Sequence, residues 1–196
     1  MKVLVACEFS GIVREAFAKQ GHDAWSCDLL PTEIPGKHIK GDVLSILGAG
    51  WELMIAHPPC THLAVSGARW FKDKIIEQNE AIRFFLALAK APIPKICIEN
   101  PVCIMSTIWR KPSQIIQPFW FGDTARKTTC LWLKNLPKLN PTNIVKPDIY
   151  VCKNGKTFSR DYMVALRAGK SRGHLRSKTY QGIADAMAEQ WGFNKG

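Results

Sequence analysis

The chain has 196 residues, with 27 Lys and Arg against 16 Asp and Glu, for a formal net charge of +11. It is 46% hydrophobic and 22% charged, ordinary globular usage that excludes a disordered, collagen-like or coiled-coil protein. No window approaches the ~18–20 apolar residues that cross a bilayer, and Glu8, Arg14 and Glu15 interrupt any signal-peptide core, so a cytoplasmic protein without a membrane partner is expected.

Residues 2–7 (KVLVAC) read as a short buried strand followed by a polar turn, Glu8-Phe9-Ser10-Gly11. Ile12 to Gln20 has helical spacing, with Ile12, Ala16 and Phe17 on one face and Gly21 as its stop. A second strand is predicted over His22 to Ser26, ending at Cys27-Asp28, and a short element begins in Asp42 to Leu47. Trp51 to His57 is a third apolar strand, broken by Pro58-Pro59. A long amphipathic helix, Ile75 to Lys90, leads into another buried strand, Ile93 to Glu99. This alternation predicts an α/β protein with a mostly parallel sheet flanked by helices.

Ile115 to Phe121 and Thr128 to Leu133 read as a hairpin or as the last strands. Residues 137–150 carry three prolines and form a connector, and Thr179 to Trp191 is a closing helix with Ile183, Met187 and Trp191 on one face. The positive charge is concentrated. Residues 125–178 hold 13 Lys and Arg against 2 Asp and Glu, whereas residues 1–124 hold 13 against 12. A basic block with interleaved aromatics and glycines, as in SRDYMVALRAGKSRGHLRSKTY, predicts contact with nucleic acid through Lys170, Arg172, His174 and Arg176.

Seven scattered cysteines include no C-x-x-C pair, so no metal site is expected and reduced thiols fit best. Polar residues instead cluster just after strands, the rim where open parallel sheets bind ligands. The EFSG turn could present backbone N–H groups to a ligand anion where a helix begins. Asp28 stands where an acidic group takes ribose hydroxyls in nucleoside-binding α/β folds, or serves as a turn former, and Asp42 has the same double reading. Cys60 follows two prolines and is flanked by His57, Thr61 and His62, which suggests a thiol with a lowered pKa acting as nucleophile. Glu99 ends an apolar strand, where desolvation should raise its pKa and favour proton donation.

Taken in order, FSG (9–11), PPC (58–60), ENP (99–101) and the closing TYQGIADAMAEQW resemble the DNA cytosine-5 methyltransferase family. The resemblance implies a Rossmann-like methyltransferase fold with a short basic appendage, using S-adenosylmethionine. It implies that Phe9, Ser10, Gly11 and Pro58 line the cofactor, that Asp28 holds its ribose and that Asp42 holds its adenine amino group. Cys60 would attack ring carbon 6 of cytosine, Glu99 would hold or protonate ring nitrogen 3, and Arg126 would support the base. A duplex target would have to be flipped out of the stack.

The family's E-N-V is E-N-P here, its Q-x-R is not intact around Arg126, and its large target-recognition region is missing. The expected organisation is therefore a catalytic core over 1–136, a basic nucleic-acid-contacting segment over 137–178 and a C-terminal helix over 179–196 packed back on the core. The expected partner is DNA, duplex or single-stranded, methylated with relaxed sequence choice, with room for a separate target-recognition or restriction partner. Two alternatives stay open: a similar enzyme acting on a pyrimidine nucleotide or RNA, and a catalytically inactive nucleic-acid-binding protein on the same fold.

Overall fold

The computed structural model describes residues 1–167, 169 and 172–193. The chain runs β1 (Lys2–Ala6), α1 (Ile12–Lys19), β2 (Asp23–Asp28), β3 (His38–Lys40), β4 (Leu53–Ala56), α2 (Ile75–Ala89) and β5 (Lys95–Pro101). It continues through α3 (Met105–Ile108), β6 (Gln114–Ile116), β7 (Thr129–Lys134), β8 (Ile149–Val151), β9 (Thr157–Ser159), α4 (Arg160–Arg167), α5 (Arg172–Ser177) and α6 (Gln181–Gly192). Short 3-10 segments cover Val43–Ile46, Val65–Asp73 and Pro118–Trp120.

Seven strands form one sheet in the order β3-β2-β1-β4-β5-β7-β6. The first five are parallel, and β7 inserts antiparallel to both β5 and β6. β8 and β9 form a separate two-stranded hairpin. The predicted Asp42 to Leu47 element is a 3-10 turn capped by the Asp42 side chain, which accepts from the Leu44 N–H. The basic segment, read from sequence without regular elements, holds the hairpin and helices α4 and α5.

The two central strands have no exposed face. Val3, Leu4, Val5 and Ala6 of β1 and Leu53, Met54, Ile55 and Ala56 of β4 are all fully buried. Successive side chains leave a strand on opposite sides, so each strand feeds two cores. Val3, Val5, Leu53 and Ile55 pack with Val13 and Phe17 of α1 and with Ile183, Met187 and Trp191 of α6. Leu4, Ala6, Met54 and Ala56 pack with Phe85 and Leu88 of α2 and with Trp132. Helices thus cover both faces of the sheet. Gly182 allows the closest docking of α6, because a Cβ there would collide with the Phe121 carbonyl while the Gly182 N–H donates to Asp123. Among the described residues, no helix is long and apolar enough to cross a membrane.

Candidate active site

Parallel strands deliver their carboxyl ends to one edge of the sheet. Here that edge receives Cys7 to Gly11 after β1, Asp28 at the end of β2, His57 to Cys60 after β4, and Glu99 to Pro101 at the end of β5.

The β1 turn is tightly wound. Cys7 (φ 58°) and Gly11 (φ 77°) are both left-handed, a conformation that an L side chain such as that of Cys7 rarely adopts and that is stored at functional turns. The turn folds around the buried carboxylate of Glu8. Glu8 accepts from the Val13 N–H at 2.7 Å, the Arg14 N–H at 3.2 Å and the Ser10 hydroxyl at 3.3 Å. These N–H groups open α1, so the chain caps its own helix with Glu8 rather than offering those amides to a ligand anion. Burial pushes the Glu8 carboxyl above its ordinary range despite the His57 charge and the amide bonds. Arg14, also buried, is held by Ser26, Thr32 and the Ile34 carbonyl.

Acidic groups gather beside this turn. Burial pushes the Cys7 thiol up, and Asp28, Cys27 and Asp42 add to that shift, which places both carboxylates within electrostatic reach of Cys7. The Cys27 thiol is pushed up to about 11 by burial and by Asp28 and Asp42. Phe9 is covered from outside. Its ring stacks on the His174 imidazole at 4.5 Å between centroids, and His174 and Lys178 both pair with Glu33, at 2.7 and 2.6 Å. Of the other two expected nucleic-acid contacts near it, Lys170 lies outside the described residues and only the backbone of Arg172 is described.

The β4 and β5 ends are bound to each other. The Asn100 side chain donates to the Pro58 carbonyl at 2.8 Å, and His57 Nδ1 meets Glu99 Oε2 at 2.9 Å. Both members of that pair are sequestered, with side chains 8% and 13% exposed. His57 Nε2 is buried without a hydrogen-bond partner. Pro58 is buried beneath the turn, while Cys60 is exposed and its carbonyl accepts from Leu63 and Ala64. A cavity of ≈ 370 Å³ is lined by Thr61, His62, Trp70, Phe71 and Lys74, from the residues that follow Cys60.

The electrostatics reverse two expectations. Burial pushes the Glu99 carboxyl up, but the His57 hydrogen bond, the Lys127 charge and the His57 charge outweigh it and hold the carboxyl below its ordinary range. Glu99 therefore rests as a carboxylate and not as the proton donor that desolvation alone would make. The Cys60 thiol is pushed up, first by desolvation and then by Glu99, and the nearby Lys127 and Arg176 offset only part of this. Its neighbouring His57 does not lower it because that imidazole is turned to Glu99.

Lys127 and Arg176 come from the basic segment, and both act on Cys60. Lys127 donates to the Arg176 carbonyl at 3.1 Å and lies over the Tyr180 ring, while the Arg176 guanidinium covers Tyr162 at 4.9 Å. Arg126 points elsewhere. Its guanidinium donates to the Thr157 carbonyl and hydroxyl at 3.1 and 3.0 Å, and its N–H donates to Ser159. The structure thus puts Lys127, not its neighbour, beside Cys60 and Glu99. From the sequence Lys127 has no assigned role, Glu8 is only part of the EFSG turn, and His57 is a neighbour of Cys60 rather than a partner of Glu99. The available signal for His57 was the one used for Glu99, a polar residue ending an apolar strand.

No protein-family model matches the chain, and no curated protein does. Among solved structures, the chain resembles a protein from E. coli assigned as a DNA modification methyltransferase encoded within a prophage, with a TM-score of 0.51 and 15% identity. The likeness covers 74% of this chain and 51% of that one, so the chain spans about half the length of the structure it matches. What it shares with that protein is the fold. That shared fold is the mostly parallel, seven-stranded α/β sheet with helices on both faces.

Proposed function

We propose that the chain transfers a methyl group from S-adenosylmethionine to carbon 5 of cytosine in DNA, through a covalent bond to Cys60. The observation that carries this reading is the convergence of the exposed Cys60 thiol, the Glu99 carboxylate and the cations Lys127 and Arg176 at one sheet edge. The β1 turn at the same edge carries Phe9 and has the Asp28 and Asp42 carboxylates within electrostatic reach.

The donor set suits the cofactor. Asp28 and Asp42 are carboxylates able to accept from ribose hydroxyls and an adenine amino group, and the Phe9 face, which His174 now stacks upon, is an aromatic surface an adenine can take over. Ser10, Gly11 and Pro58 would shape the same edge. When bound, the cofactor supplies an electrophilic methyl group.

The residues of the chain do the rest. Cys60 bonds to carbon 6 as its thiol proton passes to solvent, and ring nitrogen 3 takes up a proton from solvent and is held against the Glu99 carboxylate, which makes carbon 5 nucleophilic. After methylation carbon 5 gives its proton to solvent, its electron pair re-forms the carbon 5–carbon 6 double bond as the sulfur–carbon 6 bond breaks, and nitrogen 3 returns its proton to solvent. A carboxylate fixed before the base arrives favours the state in which nitrogen 3 is positive, which is where charge develops. Lys127 and Arg176 stabilise the thiolate and meet phosphates of the strand carrying the base. A small recognition segment fits relaxed sequence choice.

A second reading, an inactive nucleic-acid-binding protein, is favoured by one observation: α5 lies over Phe9. The deciding experiment supplies methyl-labelled S-adenosylmethionine with unmethylated DNA, RNA or pyrimidine nucleotides and identifies the labelled base. Label in 5-methylcytosine from DNA, lost in Cys60→Ala, supports the reading. Label only from RNA or nucleotides changes the substrate, and measurable DNA binding without label or cofactor binding favours the inactive binder.

A further inference from the structure

The His57–Glu99 pair is the least expected feature of this edge. An imidazole just after β4 bonds the buried Glu99 from β5 and lies within electrostatic reach of a second buried carboxyl, Glu8 from the β1 turn. Its Nδ1 is committed to Glu99 Oε2, and among the described residues Oε1 of that carboxylate has no hydrogen-bond donor. Its Nε2 is sealed from solvent and unpaired, which carries the desolvation cost of a buried polar atom. A fold retains such a cost where the group has work that a neutral apolar residue could not do. The backbone around it is firmly set, since the His57 N–H donates to the Ala6 carbonyl and the Asn100 side chain ties the next residue, Pro58, to β5.

We infer that His57 is a positioning residue that acts through Glu99, fixing the carboxylate with one oxygen bonded to Nδ1 and the other turned to the incoming base. This rests on the reading of Glu99 as the group that meets ring nitrogen 3. Without His57, burial is the largest remaining influence on Glu99 and drives it toward the neutral acid, with only the Lys127 charge opposing. Among the described residues, the charged and titratable groups that act on or feel the pair are Glu8, Lys127, Cys60, Cys97 and Cys130, from the β1 turn, the segment before β7, the PPC turn, β5 itself and β7. The proton at nitrogen 3 cancels, since it is taken up during attack and returned when Cys60 leaves, and the one proton the reaction releases comes from carbon 5.

The test is a carboxyl-carbon NMR titration of the free protein labelled with 13C-glutamate, with the Glu99 signal assigned by its loss in Glu99→Gln. In the wild type Glu99 should titrate below ordinary glutamate. In His57→Phe its midpoint should move above that range, and in His57→Asn, whose amide nitrogen stands where Nδ1 does, it should stay low. An unchanged midpoint in a folded His57→Phe protein would overturn the inference, as would a His57→Asn protein that behaves like His57→Phe. If His57→Phe does not fold, the comparison of wild type with His57→Asn and His57→Ala decides in the same way. In an active enzyme, His57→Phe should lower kcat by roughly 10²-fold, the low end of acid–base contributions, with KM for DNA little changed and His57→Asn restoring most of the loss. The titration needs no methyl transfer, so a wild type without activity refutes the proposed reaction and leaves the positioning result intact.

Discussion

The His174 imidazole stacks on the Phe9 ring at 4.5 Å with an interplanar angle of 29°. Residue 174 belongs to the basic segment and residue 9 to the first turn of the sheet, so this contact joins the two functional surfaces of the chain. Glu33 reinforces it by pairing with both His174 and Lys178.

A ligand that stacks on Phe9 must displace His174. His174→Ala is therefore expected to strengthen binding of S-adenosylmethionine, by up to roughly tenfold for a stacking contact of about 0.5–1.5 kcal/mol. Isothermal titration calorimetry of the two proteins checks this. Weaker binding in the variant would mean that His174 belongs to the cofactor site.

The thiol of Cys60 is raised by desolvation and by Glu99 and lowered by Lys127 and Arg176. Alkylation by iodoacetamide should consequently be slow at neutral pH and accelerate as pH rises. Removing the negative charge with Glu99→Gln should speed it, and Lys127→Gln should slow it. Rates that ignore both substitutions would separate Cys60 from these charges. Total thiol counting under denaturing conditions, with Cys60→Ser as reference, isolates the relevant residue.

Glu8 and Glu99 should make opposite contributions to stability. The Glu99 carboxyl is held below its unfolded value, so its contribution is present above ordinary glutamate pKa and lost as pH falls through the folded value. The Glu8 carboxyl is raised, so its contribution is present at low pH and lost as pH rises through the folded value. Thermal melting between pH 3 and about 8 should show Glu99→Gln flattening the acid limb and Glu8→Gln flattening the limb above it. Identical profiles for both variants would contradict the assignment.

Gly182→Ala should destabilise the fold by about 1–3 kcal/mol, the usual cost of overpacking, because its Cβ meets the Phe121 carbonyl in the backbone. A shift in the urea midpoint without change in slope is the expected observation.

Arg176→Gln should weaken DNA binding and reduce its salt slope by about one unit if the guanidinium meets one phosphate. An unchanged slope would assign Arg176 to packing on Tyr162, which it covers.

The sheet was legible where burial is complete. Val3 to Ala6 and Leu53 to Ala56 lie on both cores and so read as unbroken apolar runs. β3, His38–Lys40, was not legible, because a three-residue polar edge strand bonded only to β2 has no core to mark it. Cys60 and Glu99 stood out as polar groups ending apolar strands. Their ionisation did not, since it depends on Lys127 and Arg176, residues far along the chain that only tertiary folding brings near. The choice between Arg126 and Lys127 was equally hidden. Both lie in an irregular segment, where one step along the chain turns a side chain from the Thr157 hairpin to within electrostatic reach of Glu99, and no spacing rule predicts that turn.

The face of β1 that bears Val3 and Val5 is covered by α6, although residues 2–6 and 181–192 stand at opposite ends of the sequence. Within this chain β1 is made well before α6, which completes the cover of that face. Until α6 follows, the face has only α1 among its covering helices, so the sheet closes late and folding leans on distant pairings, the slow and aggregation-exposed regime. Cells making this protein fast should need a holding chaperone until Trp191 has emerged.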